Sequence, residues 1–491
     1  MAKIILLNAV ATDYDNVRFI PYPLLYLKSY LQANGHSIEI IDFQSGKKSV
    51  RRLKQTLNNH PDILGISVFA GNGIHFGIKA SIICKKISPQ TIIVFGGILP
   101  TLCPEIVLKD TLADYVIQFE GEETLLQLAN AVDNNQKNIS LPNLITRYHS
   151  EKYSLNQRQR MNLQHALPIS FEDVSDKKYV IKTKRYGEKG VSIFTSKGCP
   201  YNCSFCYNNA YNAGLWRPFP VQWVLDTIDK LVKTYNIDVL FVFDDNFFVQ
   251  YDRVIDILEG TRKIGHDIKW WAELRVDQAL SISIRQYERL YDLGLRELYI
   301  SPESGSDNVL KILNKGFTVK DIILANEHLS NTKLDISYSL MVGIPGETYE
   351  EMMATIDLSI ALRDGNKKAS IWGINNYLPY PGTVLYEKAI NSGFCSYNSL
   401  SDLLCRFDYK APHLPWTQVS KGKQEMIGIA STFQKSDKVI NALPFWKKSI
   451  AKLSRYVFEY RLRHHNFIPF FDFWFFKAYF KTREFMIKMM I

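Results

Sequence analysis

The first 135 residues alternate between unbroken apolar runs and stretches of helical spacing. Ile4–Ala9, Ile38–Phe43, Asp62–Phe69, Thr91–Phe95 and Tyr115–Phe119 read as strands. Tyr22–Leu31, Ile74–Ile87 and Glu122–Val132 read as helices between them, the first stopped by Asn34-Gly35. A strand covered on both faces loses its polar alternation, so continuous Val/Ile/Leu runs predict a parallel sheet with helices on both sides. Residues 1–135 therefore predict a doubly wound, Rossmann-like α/β domain.

Residues 136–188 are polar and interrupted by Pro142 and Pro168, and read as a linker with a little strand. A second alternating series follows in 189–400. Its strand candidates are Ser192–Thr195, Val239–Phe243, Ile268–Leu274, Glu297–Ser301, Asp335–Val342 and Ser370–Tyr377. Helical spacing fills the gaps at Val221–Tyr235, Asp252–Ile264, Ile284–Leu293, Val319–Leu329 and Tyr349–Arg363. Six such units predict a partial (β/α)6 barrel of the TIM type. Residues 401–491 read as helical, basic and aromatic.

Composition narrows the class. With 46% hydrophobic and 22% charged residues, the chain is neither mainly disordered nor fibrous. Seven cysteines in 491 residues are too few for a disulfide scaffold. The N-terminus lacks the long apolar stretch of a secretory signal, and no apolar window is long enough for a membrane span. The densest run, Phe467–Phe480, holds Asp472 and Lys477. The expectation is a cytoplasmic protein, where thiols stay reduced and clustered cysteines bind metal.

Three of those cysteines fall in Gly198-Cys199-Pro200-Tyr201-Asn202-Cys203-Ser204-Phe205-Cys206, directly after a predicted strand. Thiolates spaced C-x3-C-x2-C on one loop can hold three irons of a 4Fe–4S cluster and leave the fourth open for a ligand. The alternative is structural zinc, which needs a fourth ligand from Cys395, Cys405 or a histidine.

This loop resembles that of the radical S-adenosylmethionine (SAM) enzymes. The resemblance implies that Cys199, Cys203 and Cys206 bind the cluster, whose open iron takes the amino and carboxylate groups of SAM. It also implies that reductive cleavage of SAM yields a radical that abstracts substrate hydrogen. Phe205 corresponds to the aromatic residue on the adenine side. Asp245, in Phe243-Asp-Asp-Asn-Phe247, stands where the family places a partner for the SAM amino group; helix capping is the other reading of that acidic pair. Glu303 and Ser304, in Glu303-Ser-Gly-Ser306, resemble the contact to SAM's carboxylate and ribose, and also fit a capped turn. Arg275 is a SAM candidate, or an ion-pair partner of Asp277 or Glu303. Gly343 and Gly346, in Val342-Gly-Ile-Pro-Gly-Glu-Thr348, resemble the stretch that passes under adenine.

With a doubly wound domain in front, residues 3–390 resemble the cobalamin-binding, methyltransferase-like subgroup. Ser67, Gly71, Gly96, Gly97, Thr101, Glu120, Gly121 and Glu122 then lie around the corrin or its nucleotide tail, at the carboxyl ends of the strands. A nucleotide-binding or structural sheet is the alternative. The Asp-x-His-x-x-Gly motif of other cobalamin proteins is absent, Leu99 replaces a usual His, and Phe119 stands where Gly is usual. The resemblance implies methylation of an unactivated carbon in a lipid, peptide or secondary metabolite, with an external flavodoxin- or ferredoxin-type electron donor. Cyclisation or carbon–carbon coupling is the second enzymatic reading, and a cobalamin or iron–sulfur sensor the non-enzymatic one.

The charge belongs to the tail. Lys and Arg number 59 against 49 acids, a net +10. Residues 441–491 hold ten of the cations, three acids and fifteen aromatics, a local net +7. This pattern fits peripheral contact with a membrane surface or a helical cap with solvated cations, and nucleic acid less well.

Overall fold

The computed structural model describes residues 1–9, 19–42, 47–69, 73–136, 139–146, 158–182, 189–406, 414–417, 419–441 and 445–468. They form two compact units. The first comprises Met1–Tyr179, Ala210–Lys230 and Ser396–Asp408, and the second Val180–Asn209, Leu231–Cys395 and Tyr409–Ile491.

The first unit is built on β1 (Lys3–Asn8), β2 (Ser37–Asp42), β3 (Ile63–Ser67), β4 (Ile92–Gly96), β5 (Tyr115–Ile117) and β6 (Leu144–Thr146). Their spatial order is β2-β1-β3-β4-β5-β6, with β6 alone antiparallel. Helices α1 (Tyr22–Ala33), α2 (Lys47–Leu57), α3 (Gly73–Ile87), α4 (Ile98–Leu102), α5 (Pro104–Asp110) and α6 (Glu122–Asp133) connect them. Ile4, Leu7, Ile63, Leu64, Ile93 and Phe95 are almost wholly buried, as double coverage requires. The order reverses between β1 and β3, the topological switch point where such sheets place ligands. The 158–179 stretch adds buried Leu163, Ile169, Phe171, Val174 and Tyr179 to this unit.

Just past β4, Gly97 has φ 100° and ψ −168°, a combination essentially restricted to glycine. A Cβ there would lie 2.5 Å from the Val68 carbonyl oxygen. Gly97→Ala is therefore expected to cost about 2 kcal/mol or more, from backbone strain and clash together. A denaturant midpoint unchanged from the parent would contradict this.

The second unit carries β7 (Gly190–Ile193), β8 (Val239–Val242), β9 (Lys269–Leu274), β10 (Leu295–Glu303), β11 (Asp335–Val342) and β12 (Ala369–Asn376). All pair in parallel, in the order β12-β11-β10-β9-β8-β7. Helices α7 (Val221–Tyr235), α8 (Tyr251–Lys263), α9 (Ile284–Asp292), α10 (Val319–Ser330) and α11 (Tyr349–Gly365) make the crossovers. This is the expected partial (β/α)6 barrel, unclosed between β7 and β12.

Helix α12 (Lys421–Thr432) packs on β12, and α13 (Phe445–Arg463) packs on α11 and α12. Ala451, Ser454, Phe458 and Leu462 form the buried face of α13, with Phe458 stacked on Phe433 at 4.9 Å. Its opposite face exposes Leu453, Tyr456 and Tyr460. The described part of the tail thus has a cap's packing face and an open apolar one, while 469–491 lie outside the described residues.

Candidate functional site

In the second unit, the cysteine loop is fastened by main-chain bonds on several sides. Ser204 N–H donates to the Leu313 carbonyl (3.0 Å), its hydroxyl to Ile312 (2.7 Å), and Leu385 N–H donates to the Ser204 carbonyl (2.9 Å). Asn209 and Asn314 side chains donate to the carbonyls of Cys203 and Asn202. Cys203 is buried, Cys199 and Cys206 are half-buried, and none is in a disulfide. Burial raises the Cys199 thiol and pushes Cys206 up to about 12. A cation beside such buried thiols is what would make them thiolates. Three thiols on one braced loop, each buried or half-buried, suit the three-thiolate ligation of an iron–sulfur cluster. Among the described residues, no group of three or more His, Cys, Asp or Glu side chains is placed to hold a single metal ion.

The two aspartates after β8 have separate duties. Asp244 is fully buried and accepts from Thr195 N–H, the Thr195 hydroxyl (2.6 Å) and the Ser196 hydroxyl (2.6 Å), with Arg253 nearby. Asp245 accepts from Gly198 N–H at 3.0 Å, beside the first cysteine. Its side chain opens to solvent, but the recess around it is crowded by protein, and desolvation with help from Asp244 pushes it up to about 6. Of the two aspartates, Asp245 is the one bonded to the cysteine loop.

Arg275 resolves as an ion pair. Its Nε donates to Asp277 (3.0 Å), its Nη2 to the Lys315 carbonyl (2.6 Å), and its guanidinium lies 3.6 Å from the Tyr201 ring centroid, with Nη1 3.6 Å from Cys203 Sγ. Glu303, at the end of β10 where the register shifts, has φ +74°, a strained value for a non-glycine residue. Its carboxylate pairs with buried Lys315 at 3.4 Å, and Lys315 Nζ also lies 5.6 Å over the Phe205 ring. Ser304 is buried and shares a hydrogen bond with Thr355 (3.0 Å). Gly343 has φ +78°, and a Cβ there would meet Leu414 at 2.6 Å; Gly346 lies further along the same turn, which Glu347 braces by accepting from Ile344 N–H (3.1 Å). Burial pushes Glu347 up to about 7. Lys315, Glu347 and Glu273 were not singled out in the sequence. Glu347 alone carried a signal there, as the acid closing the Gly-Ile-Pro-Gly turn.

In the first unit, Ser67, Gly96 and Gly97 sit together at the ends of β3 and β4, tied by Val68 N–H to the Gly96 carbonyl (2.9 Å). The Thr101 hydroxyl donates to the Gly97 carbonyl (2.7 Å) and accepts from Phe119 N–H (2.9 Å). Phe119 has φ +61°, so this backbone does favour the glycine it lacks. Its ring is held by the Arg158 guanidinium at 3.9 Å and by Tyr211, which also donates to its carbonyl. Glu120 is buried, ion-paired with Arg217, and accepts from Met161 N–H at 2.8 Å. Its carboxylate is therefore committed within the protein. Gly121 and Glu122 start α6, where an acid complements the helix dipole. Leu99 is buried. Gly71 lies outside the described residues.

Around Phe119, four buried polar atoms have no partner among the described residues: Gln118 Oε1, Gln159 Oε1, Arg158 Nε and Arg217 Nε. Such atoms are costly unless something bonds them. Their mix of donors and acceptors suits the amide-fringed rim of a corrin.

Two family models match the chain. The radical SAM superfamily model covers residues 193–359, and the B12 binding domain model covers residues 12–129. An uncharacterized methyltransferase of Pyrococcus horikoshii is 27% identical over 376 residues, 75% of this chain and 78% of that protein. The anaerobic magnesium-protoporphyrin IX monomethyl ester cyclase of Rubrivivax gelatinosus is 23% identical over 384 residues, 75% of this chain and 66% of that one. Among solved structures, the cobalamin-dependent SAM radical enzyme OxsB, with aqua-cobalamin and SAM bound, superposes with a TM-score of 0.69. That match covers 99% of this chain and 76% of the other at 18% identity, a likeness of fold. No helix among the described residues is long and apolar enough to cross a membrane. With the two matched models falling on the two sheets whose strand ends carry these residues, the chain belongs to the cobalamin-dependent radical SAM enzymes, and a 4Fe–4S cluster, SAM and cobalamin are its cofactors.

Proposed function

We propose that this enzyme is a methyltransferase acting on an unactivated carbon of a small-molecule, lipid or peptide substrate, with electrons supplied by an external flavodoxin- or ferredoxin-type donor. The braced three-thiol loop beside an open carboxylate carries the reading, and the Pyrococcus relative favours methylation over the cyclase alternative. When bound, the cofactors supply hydrogen abstraction from carbon and a transferable methyl group. Cys199, Cys203 and Cys206 hold the cluster. Asp245 accepts from the amino group of SAM, as a carboxylate beside a cationic donor does at short range. Glu303 and Ser304 line the ribose and carboxylate side, with Lys315 fixing Glu303. Phe205 and the Gly343–Gly346 turn flank adenine, and Arg275 acts by positioning the loop through Tyr201 and Lys315. In the first unit, Ser67, Gly96, Gly97 and Thr101 shape the corrin edge. Glu120 positions Arg217, and Gly121 and Glu122 begin the helix behind it.

The test is incubation of the reduced, reconstituted protein with methyl-labelled SAM and candidate substrates, followed by product analysis. Label in a carbon-bound methyl group is expected. Deoxyadenosine release with substrate conversion but no label in the product would replace this reading with the cyclising one. The exposed Leu453, Tyr456 and Tyr460 face of α13 supports peripheral membrane contact as part of the same proposal.

A further inference from the structure

Alternation divides each barrel strand into two faces. On β9, Trp270, Ala272 and Leu274 are buried, whereas Lys269, Trp271 and Glu273 remain partly open. The partly open face continues across the sheet as a belt of aromatic rings. Phe194 lies 6.5 Å from Phe243, which lies 5.5 Å from Trp271; Phe241 also meets Trp271, at 6.2 Å. Trp271 lies 5.5 Å from Tyr299, and Tyr299 meets Trp372 edge-on at 6.4 Å. Trp372 remains 46% exposed. Contiguous open apolar surface, unlike scattered single side chains, marks a ligand or partner site.

Polar groups interrupt the belt. Glu273 stands next to Trp271, crowded by protein and close to Asp245, Asp244 and Glu303, with Lys315 acting on it as a cation. Burial first, and those carboxylates second, push it up to about 8. The Tyr299 hydroxyl has Ser339 and Ser301 as polar neighbours. A hydrocarbon chain laid here would strip water from these groups and return no hydrogen bond. An anionic substrate would meet the Glu273 carboxyl beside Asp245, and a lysine already paired with Glu303. A flat ring instead gains stacked and edge-on contacts with every member of the belt.

We propose that the barrel takes a conjugated-ring substrate bearing a nitrogen, stacked on Trp271, Tyr299 and Trp372, with Glu273 as the polar anchor that sets its orientation. This rests on the barrel being where the enzyme binds substrate, and it selects a ring compound over a lipid chain.

Equilibrium dialysis of the full-length, cofactor-reconstituted protein tests it without turnover, with quinoline, naphthalene, dodecanoate and tetramethylammonium as probes. Quinoline is expected to bind at least about fivefold tighter than naphthalene, its nitrogen-free isostere. Glu273→Ala should erase that preference, and Glu273→Gln, which keeps a donor, should retain it. Trp372→Ala, at a ring that is 46% exposed and carries the Lys435 ammonium at 5.0 Å, should weaken quinoline about tenfold. Tighter binding of dodecanoate or of tetramethylammonium than of quinoline would overturn the proposal, as would a quinoline preference untouched by Glu273→Ala. Quinoline binding as expected, with no methyl label in any product, would sink the methyltransferase reading alone. Labelled product with no quinoline binding would sink only this one.

Discussion

Cys203→Ala is expected to strip the reconstituted protein of its iron–sulfur absorption and to reduce deoxyadenosine release to background. The remaining two thiols cannot hold three irons, and a cluster missing a thiolate loses iron to solvent. Cys203 is also the most buried of the three and the one nearest the Arg275 guanidinium, so its loss leaves that charge facing a cavity. Cys206→Ser should behave alike, because a hydroxyl in that desolvated position is a poor iron ligand. Cys395→Ala, at an exposed cysteine outside the loop, should keep full iron content. Iron analysis and visible absorption decide the matter without any substrate. Cys203→Ala retaining the parent's iron content would remove the loop from the cluster site.

Glu120→Ala is expected to destabilise the protein by about 3 kcal/mol, the usual cost of leaving one member of a buried pair uncompensated. Glu120 is 6% exposed and Arg217 19%, so solvent screens the pair little. Removing the acid also leaves Arg217 beside Arg160, whose pKa is already lowered by burial first and by Arg217 second. The Met161 N–H loses its acceptor at the same time. Glu120→Ala combined with Arg217→Ala should recover part of the loss, since the stranded charge goes too. Denaturant unfolding reads both. A single-variant loss under about 1 kcal/mol would show that the pair contributes no more than a surface bridge.

Legibility along the chain followed burial. Strands covered on both faces stood out because their runs are purely apolar, and Asp335–Val342 was located to the residue. The helix α2 went unread, since Lys47–Leu57 is dominated by basic residues and, among its described side chains, buries only Ser49, Leu53 and Leu57, with Val50 half-buried. Helices α4 and α5 were also missed, being too short for a periodic signal. In the site, the preference for Asp245 over Asp244 rested on strand-end position, and the geometry supports it by committing Asp244 to Thr195 and Ser196. For Arg275, ion pair and cofactor contact weighed equally in the sequence, and its Nε is held by Asp277.

The sequence by itself determined the chemistry that depends on local spacing. Three cysteines within eight residues share a loop in any fold that places a strand before them, and the glycine turns at 97 and 343 are needed wherever the main chain bends so sharply. Tertiary structure alone decided which groups meet across long stretches of chain. Glu120 and Arg217 are 97 positions apart, Thr195 and Asp244 are 49, and the aromatic belt draws on five strands. Side-chain period tells which residues share a face of one strand, but strand order and register decide what stands beside them. Glu273 shows the difference. In sequence it is an acid between two apolar residues, and only the neighbouring strands surround it with carboxylates and rings.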